Sequence, residues 1–471
     1  MMPGLSSGAS DNSGFLGGGV TVNATWNPRI FTAAGLMLAV VFAAPAVVAA
    51  QAPATQGPVT FAKDVAPILQ RNCQVCHRPG STAPMSLLKY EEVRPWARAI
   101  KQRTSLREMP PWYIDRNVGI HQFKNDRSLS DEEIATIAKW ADAGAPLGNP
   151  ADLPPPRQFE DVDKWHIGAP DLIVTMPKDQ IVPPEGPDKW LDVLVDPGLT
   201  EDRYLKAVET KPSKGFKVIH HSVQTMTEPD GSIDDSDNPR GKFLNEYALG
   251  KNGDVFPEGA GRLIKAGTKF NFNLHLHSIG EETRANVELG LKFYPKGYVP
   301  RYVENSEGVG RNQDLDIPAN TDNVRSDGYF TLTRPARVLS FQPHMHNRGK
   351  AMCVEAIYPP AGSPATGNTQ QQNRVETLSC VDRYQFAWHV VYLYDDDAQP
   401  LLPAGTVLHV IGWHNNTAAN KFNPDPDNLI TYGQRTIDDM SFAWMSWYYL
   451  SDQEYKEQVE ARQAKIKNTG N

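Results

Sequence analysis

From about residue 165 to residue 455 the chain is written in short runs whose apolar residues fall at every second position. That period belongs to strands and excludes a helical fold for most of the length. Runs such as "KFNFNLHLHSIG", "ANVELGLKFYP", "RVLSFQPHMH", "CVEAIYPP", "FAWHVVYLY" and "TVLHVIGWHN" are separated by Gly, Pro, Asn and Asp, the punctuation of antiparallel sheets. Two antiparallel, jelly-roll-like β-sandwich domains are expected, over 164–300 and 301–455. The segment "AGSPATGNTQQQNR" at 361–374 lies between two such runs and reads as a surface loop.

At 471 residues the chain exceeds one core, and at about 150 residues per domain it has room for roughly three. A charged content of 22% and a formal net charge of −8 describe a mildly acidic globular protein and argue against a nucleic-acid partner. Residues 31–50, "FTAAGLMLAVVFAAPAVVAA", form an apolar run after Arg29 that closes on small residues before Gln51. We read residues 1–50 as a leader with a secretory signal, an uncleaved anchor being the alternative. Arg29 is the only basic residue ahead of the run, so the true start is expected downstream of Met1. A cleaved leader implies a periplasmic or secreted bacterial protein without stable membrane insertion.

"CQVCH" at 73–77 is the most specific motif. Cys73 and Cys76 have the spacing that forms thioethers to a haem's vinyl groups, and His77 then becomes the proximal iron ligand. A redox pair or half a zinc site finds no βαβ setting and no second C-x-x-C. The surroundings over 58–147 resemble a small all-α cytochrome c domain. "TFAKDVAPILQRNCQVCH" reads as an amphipathic helix, with Phe61, Val65, Ile68 and Leu69 at helical spacing. "LSDEEIATIAKWADAGAPLG" reads as a closing helix, capped by Ser130 with Glu133 as its box partner and stopped by Gly144. Met109 in "LREMPPWYID" looks like the distal ligand of this cytochrome group, with Met85 as its rival. Residues 148–163, rich in proline and charge, read as a stiff linker, and 456–471 as a C-terminal tail.

Of twelve histidines, six fall in three close pairs: His220/His221, His275/His277 and His344/His346. A lone histidine on a strand is usually a packing residue, but three pairs point to metal. Imidazole suits copper, zinc, iron or nickel alike, whereas a thioether such as Met440 in "TIDDMSFAW" selects Cu(I).

The ordered series of HH at 220–221, "HLHS" ending on His277, "PHMHNRG", "NNTAANKFNPDP" and "TIDDM" resembles the copper type II ascorbate-dependent monooxygenases. Peptidylglycine α-hydroxylating and dopamine β-monooxygenase belong to that family. The resemblance implies two copper ions on separate β-sandwich domains facing a solvent-filled cleft. His220, His221 and His277 would hold one, and His344, His346 and Met440 the other, where O2 binds and a substrate C–H bond is hydroxylated. His275 takes a polar non-ligand place in that pattern. His389 and His414 read as hydrogen-bonded strand residues, and His121, His166 and His409 as ordinary ones. Cys353 and Cys380 flank a hairpin and are expected to form a disulfide in an oxidising compartment, a free-thiol pair being the alternative.

The family's substrate clamp does not carry over. Gln342, Phe442 and Trp444 stand where the family has arginine, asparagine and tyrosine, which favours a more apolar small substrate. The fused haem is the second departure. It implies electrons from a periplasmic cytochrome or quinol chain, delivered at high effective concentration by the short linker, with an ascorbate-like reductant as the alternative donor. The alternative is a copper/haem electron-transfer or copper-binding protein with no organic substrate. A zinc hydrolase lacks an HExxH helix, and a blue-copper site lacks a free cysteine in a histidine cluster.

Overall fold

Strands with one apolar face need hydrogen-bonded neighbours along their edges and a second layer over that face. In the computed structural model both needs are met around one long sheet. Residues 57–79, 81, 83–159, 164–232, 241–248, 251, 253–360 and 374–469 are described; the leader and residues 361–373 of the expected surface loop lie outside them.

The long sheet has eleven strands and runs, in spatial order, through Tyr392–Leu393, Ala336–His344, Phe442–Tyr449, Tyr302–Val309, Ala260–Ile264, Arg203–Lys214, Thr283–Phe293 and Leu172–Thr175, with three short strands pairing beside this path. Its two ends belong to different cores. At one end Leu205, Val208 and Leu289 pack with Leu244, Phe270 and Leu274 of a four-stranded sheet, forming the first β core. At the other, Val338, Phe341 and Trp447 pack with Val354, Val381 and Val410 of a five-stranded sheet, forming the second. Each such side chain contributes about 1.5–3 kcal/mol by leaving water. The two cores are joined across residue 300 by the parallel pairing of Tyr302 with Ala260 and Val303 with Gly261.

The strand Phe270–Leu276 is buried along its whole length. Phe270, Phe272, Leu274 and Leu276 belong to the first core. The alternate residues Asn271, Asn273 and His275 are also buried, at 7%, 4% and 2% exposure. Antiparallel sheets commonly leave such a polar face in water. Here its polar groups need internal partners: both asparagine amides donate to Asp192, at 3.0 and 2.9 Å, and His275 Nε2 donates to Asp188 at 2.7 Å.

The expectation of a separate all-α cytochrome c domain ahead of two β-sandwich domains is corrected. Strand accounts for 37% of the structure and helix for 16%, and no sizeable all-α unit is present among the described residues. Short helices at Ala66–Asn72, Tyr90–Val93, Ala97–Ser105 and Asp131–Asp142 do surround Phe61, Leu69, Ile137 and Trp140. The Ser130/Glu133 box forms: the Glu133 amide donates to Ser130 Oγ at 3.2 Å, and the Ser130 amide to Glu133 Oε2 at 2.9 Å. Between the third and fourth helices, however, Ile114–Gly119 is a strand that pairs with Val375–Val381 at the edge of the five-stranded sheet. Trp112, Tyr113, Ile114 and Phe123 are buried in the second β core. The physical reason is the aromatic and β-branched run "WYI": it needs an apolar partner larger than four short helices supply, and Trp112 finds Tyr392 while Phe123 stacks on Tyr394. Residues 57–471 accordingly form one contact unit.

The proline-rich stretch after the last of these helices lies along the first, with Gln70 Nε2 donating to the Pro155 carbonyl at 3.1 Å and Arg157 to the Gln70 carbonyl at 2.8 Å. The expected C-terminal tail is largely the helix Asp452–Thr469. No described helix is long and apolar enough to cross a membrane.

Candidate metal centre

Adjacent residues of a strand normally point to opposite faces, so His220 and His221 should not meet. A β-bulge brings them together. Along the strand Ile219–Met226, His221 pairs with His275 and Ile219 with Leu276, which leaves His220 as the extra residue. Bulges re-aim side chains in this way. The two Nδ1 atoms are 2.9 Å apart, so one ring donates to the other. His275, opposite His221, stacks on Trp190 with ring centres 4.0 Å apart.

His389 completes a trio with them. The ligand atoms of His220, His221 and His389 all lie within 4.8 Å of one another. It comes from the segment after the disulfide strand, at 5.4 Å from His221 and 5.5 Å from His344 between ring centres. His389 thus stands between the two histidine sets, a place that its isolated position in "FAWHVVY" did not signal. His277 is not part of the trio, although its ring centre is 6.3 Å from that of His220, against 5.9 Å for His389.

His344 ends the strand Ala336–His344, opposite Phe442 in register, and its ring centre is 5.5 Å from that of His346. His346 Nδ1 donates to the Asp438 carbonyl at 3.1 Å, which leaves Nε2 as the nitrogen that could ligate a metal. Asp439, fully buried, accepts from the amides of His346 at 2.8 Å, Arg348 at 3.1 Å and Met440 at 2.9 Å. One carboxylate therefore fixes both the H-x-H turn and the methionine. Tyr384 Oη donates to the Met345 carbonyl at 2.6 Å, and Arg348 Nε donates to Asn416 at 2.9 Å.

His221, His344, His346, His389 and Met440 line one cavity of about 90 Å³, walled by Trp190, Phe386, Phe442 and Trp444. The resemblance implied a solvent-filled cleft between the two sites; here the two histidine sets share one small cavity. Glu246 also lines it and accepts from the Gln342 amide, and burial raises its carboxyl above the usual range. Phe442 and Trp444 are cavity walls, while Trp447 belongs to the second core.

Burial, reinforced by the neighbouring imidazoles, lowers His220 to about 2 and His389 to about 3, and pushes His221 and His344 well below the ordinary histidine value. A packed set of neutral imidazoles is what a cation needs, since ligating nitrogens must be unprotonated. Among the described residues, His344 Nδ1, His389 Nε2 and His275 Nδ1 are buried without a hydrogen-bond partner, as is His414 Nδ1. Such atoms are costly unless something coordinates them, so the residues present fit a metal ion.

The remaining histidines have other partners. His121 Nε2 donates to the Asp115 carbonyl, His166 pairs with Glu209, His409 with Asp327, and His414 Nε2 donates to the Met440 carbonyl.

At the C-x-x-C-H motif Cys73 ends its helix and neither thiol is bonded; burial pushes Cys73 up to about 12. His77 Nδ1 donates to the Met85 carbonyl at 3.2 Å, leaving Nε2 available. Two free thiols and an imidazole oriented through Nδ1 fit the proximal half of a haem c site. That bond also places Met85 on the proximal side of the ring. Met109 lines a cavity of about 500 Å³ with Trp112, Leu129 and Ile134, and neither Cys73, Cys76 nor His77 is in its lining. The Cys353–Cys380 disulfide is present, joining residues paired across two strands.

Neither a family profile nor any curated protein matches the chain. Among solved structures, the chain is similar to the major capsid protein P2 from bacteriophage PM2, with 8% identity, a TM-score of 0.26, and 59% of this chain and 98% of that chain covered. The VP2 subviral particle of infectious bursal disease virus is matched at 6% identity and a TM-score of 0.20 over 55% and 59% of the two chains. A tandem CBM22 domain of Paenibacillus barcinonensis Xyn10C is matched at 7% identity and a TM-score of 0.14, over 58% of this chain and 93% of that one.

Proposed function

We propose that the chain is a copper-dependent monooxygenase that hydroxylates a C–H bond of a small organic substrate with O2. Two copper ions and one covalently bound haem c are its cofactors. The observation that carries this reading is the meeting of His344, His346 and Met440 with His221 and His389 on one cavity. A thioether beside two imidazoles favours Cu(I) over zinc. Bound copper would supply the couple that reduces O2, and a haem held by Cys73, Cys76 and His77 would supply electrons from a periplasmic cytochrome or quinol chain.

The chain's own residues do the rest. Asp439 holds His346 and Met440 in fixed relation, and the Asp438 carbonyl sets the His346 ring so that Nε2 faces outward from the bond. Phe386, Phe442 and Trp444 give the cavity an apolar wall. Glu246, its carboxyl raised by burial above the usual range, accepts from the Gln342 amide at the cavity wall. The apolar run at 31–50, read as a secretory signal, and the disulfide support a periplasmic or secreted location.

One observation favours the second reading, a copper/haem electron-transfer or copper-binding protein. A cavity of about 90 Å³ holds a few waters or O2, not an organic substrate, whose pockets run to about 300–1,000 Å³. Hydroxylation therefore requires the two β cores to part. Metal content and Cu(I) X-ray absorption on wild type and Met440→Ala test the site. Two coppers and one haem per chain, with a Cu–S signal lost in the variant, are expected. Zinc, or no Cu–S signal, removes the monooxygenase reading, and O2 uptake without a hydroxylated product from any screened substrate selects the second.

A further inference from the structure

We propose that the first metal ion is held jointly by His220 and His221 of the first β core and His389 of the second, and so latches the two cores shut over the cavity of His344, His346 and Met440. The proposal rests on the copper reading only for the identity of the ion.

Three observations carry it. The ligand atoms of the trio lie within 4.8 Å of one another, and two nitrogens on one ion at about 2.0–2.1 Å stand at most about 4 Å apart, so a small closure completes the site. His389 is 4% exposed, and its Nε2 has no partner among the described residues. The bulge at His220 turns a second imidazole beside that of His221, with the two Nδ1 atoms 2.9 Å apart. His277 is half-buried and stands outside this group of ligand atoms, although its ring centre, 6.3 Å from that of His220, is only slightly farther than that of His389 at 5.9 Å.

A ligand set drawn from two layers has a consequence that a set within one layer lacks: the ion binds only the closed arrangement and stabilises it. Phe386, three residues before His389, stacks on His220 at 5.4 Å and packs on His346 at 5.6 Å between ring centres, so opening at His389 would also unwall the second site.

The test uses the full chain with Cu(I), and with Zn(II) as a redox-inert probe. Competition titrations and X-ray absorption would be run on wild type, His389→Gln and His277→Gln, and amide exchange of residues 385–391 on wild type with and without Zn(II). His389→Gln should weaken the first ion by at least about tenfold and remove one imidazole, while His277→Gln stays within about twofold. Zn(II) should slow exchange at 385–391 in the wild type, a readout that needs no variant to fold. Tenfold weakening by His277→Gln with His389→Gln unchanged overturns the latch, as does exchange at 385–391 that ignores the metal. A trio that binds in a protein lacking any Cu–S signal leaves the latch standing and removes the monooxygenase; a Cu–S signal with a first site indifferent to His389 does the reverse.

Discussion

The carboxylate of Asp439 accepts the backbone amide of His346 at 2.8 Å across 93 residues of sequence, with neither side chain more than 4% exposed. The same group takes the amides of Arg348 and Met440, so three donors converge on one buried anion.

Asp439→Asn replaces one accepting oxygen by an NH2 that faces amide donors. We expect a loss of about 2–3 kcal/mol in urea unfolding, from a charge-assisted bond removed and donors left buried. The Cu–S signal should broaden or vanish, because His346 and Met440 lose their shared anchor. Unchanged stability with an unchanged Cu–S distance would sink the anchoring role.

The metal-free protein should weaken in mild acid. His220 and His389 stay neutral in the folded state down to about 2 and 3, whereas unfolded histidines protonate near 6.5. The unfolded chain therefore binds more protons as pH falls below 6.5, and stability drops by about 1.4 kcal/mol per pH unit for each such histidine. Their contribution is fully present above 6.5. Urea midpoints measured from pH 7.5 to 5 should fall mainly below 6.5, and the slope should be shallower in a His220→Gln/His389→Gln variant. A midpoint flat across that range contradicts the buried, neutral cluster.

Trp112→Ala should report how firmly the helical segment is built into the second β core. Trp112 is 8% exposed and meets Tyr392 at 4.8 Å and Phe123 at 5.7 Å between ring centres. Truncating a buried tryptophan costs about 3–5 kcal/mol. Faster amide exchange should appear in Val375–Val381, the partner of Ile114–Gly119, as well as around residue 112. If exchange rises only before residue 112, the segment is an appendage.

Reduction of Cys353–Cys380 releases a loop spanning a sequence separation of 27, worth about 3.5 kcal/mol of unfolded-state entropy in the loop-closure account. The Cys353→Ser/Cys380→Ser variant should lose about that much, and its strand Gly349–Ile357, which follows the H-x-H turn, should exchange faster. Stability equal to the oxidised wild type would assign the bond no structural role.

Local pattern determined much of this protein. Alternation in "KFNFNLHLH" marked the strand Phe270–Leu276, "TVLHVIGWH" marked Val407–His414, and the Ser130/Glu133 signature marked a helix start, because side-chain period and capping act within a few residues. The residue types likewise pointed to paired imidazoles and to Met440. What tertiary structure decided is where those imidazoles meet. The bulge that aims His220 beside His221 is set by register against a strand more than fifty residues away, and the insertion of Ile114–Gly119 into a distant sheet depends on an edge that residues 375–381 provide. His389 shows the same limit: alone in its run it carries no pattern, and only the packing of two β cores places its unpartnered nitrogen between the two histidine sets. Pairing and packing across long sequence separations are fixed by burial and hydrogen-bond satisfaction in three dimensions, and no local period encodes them.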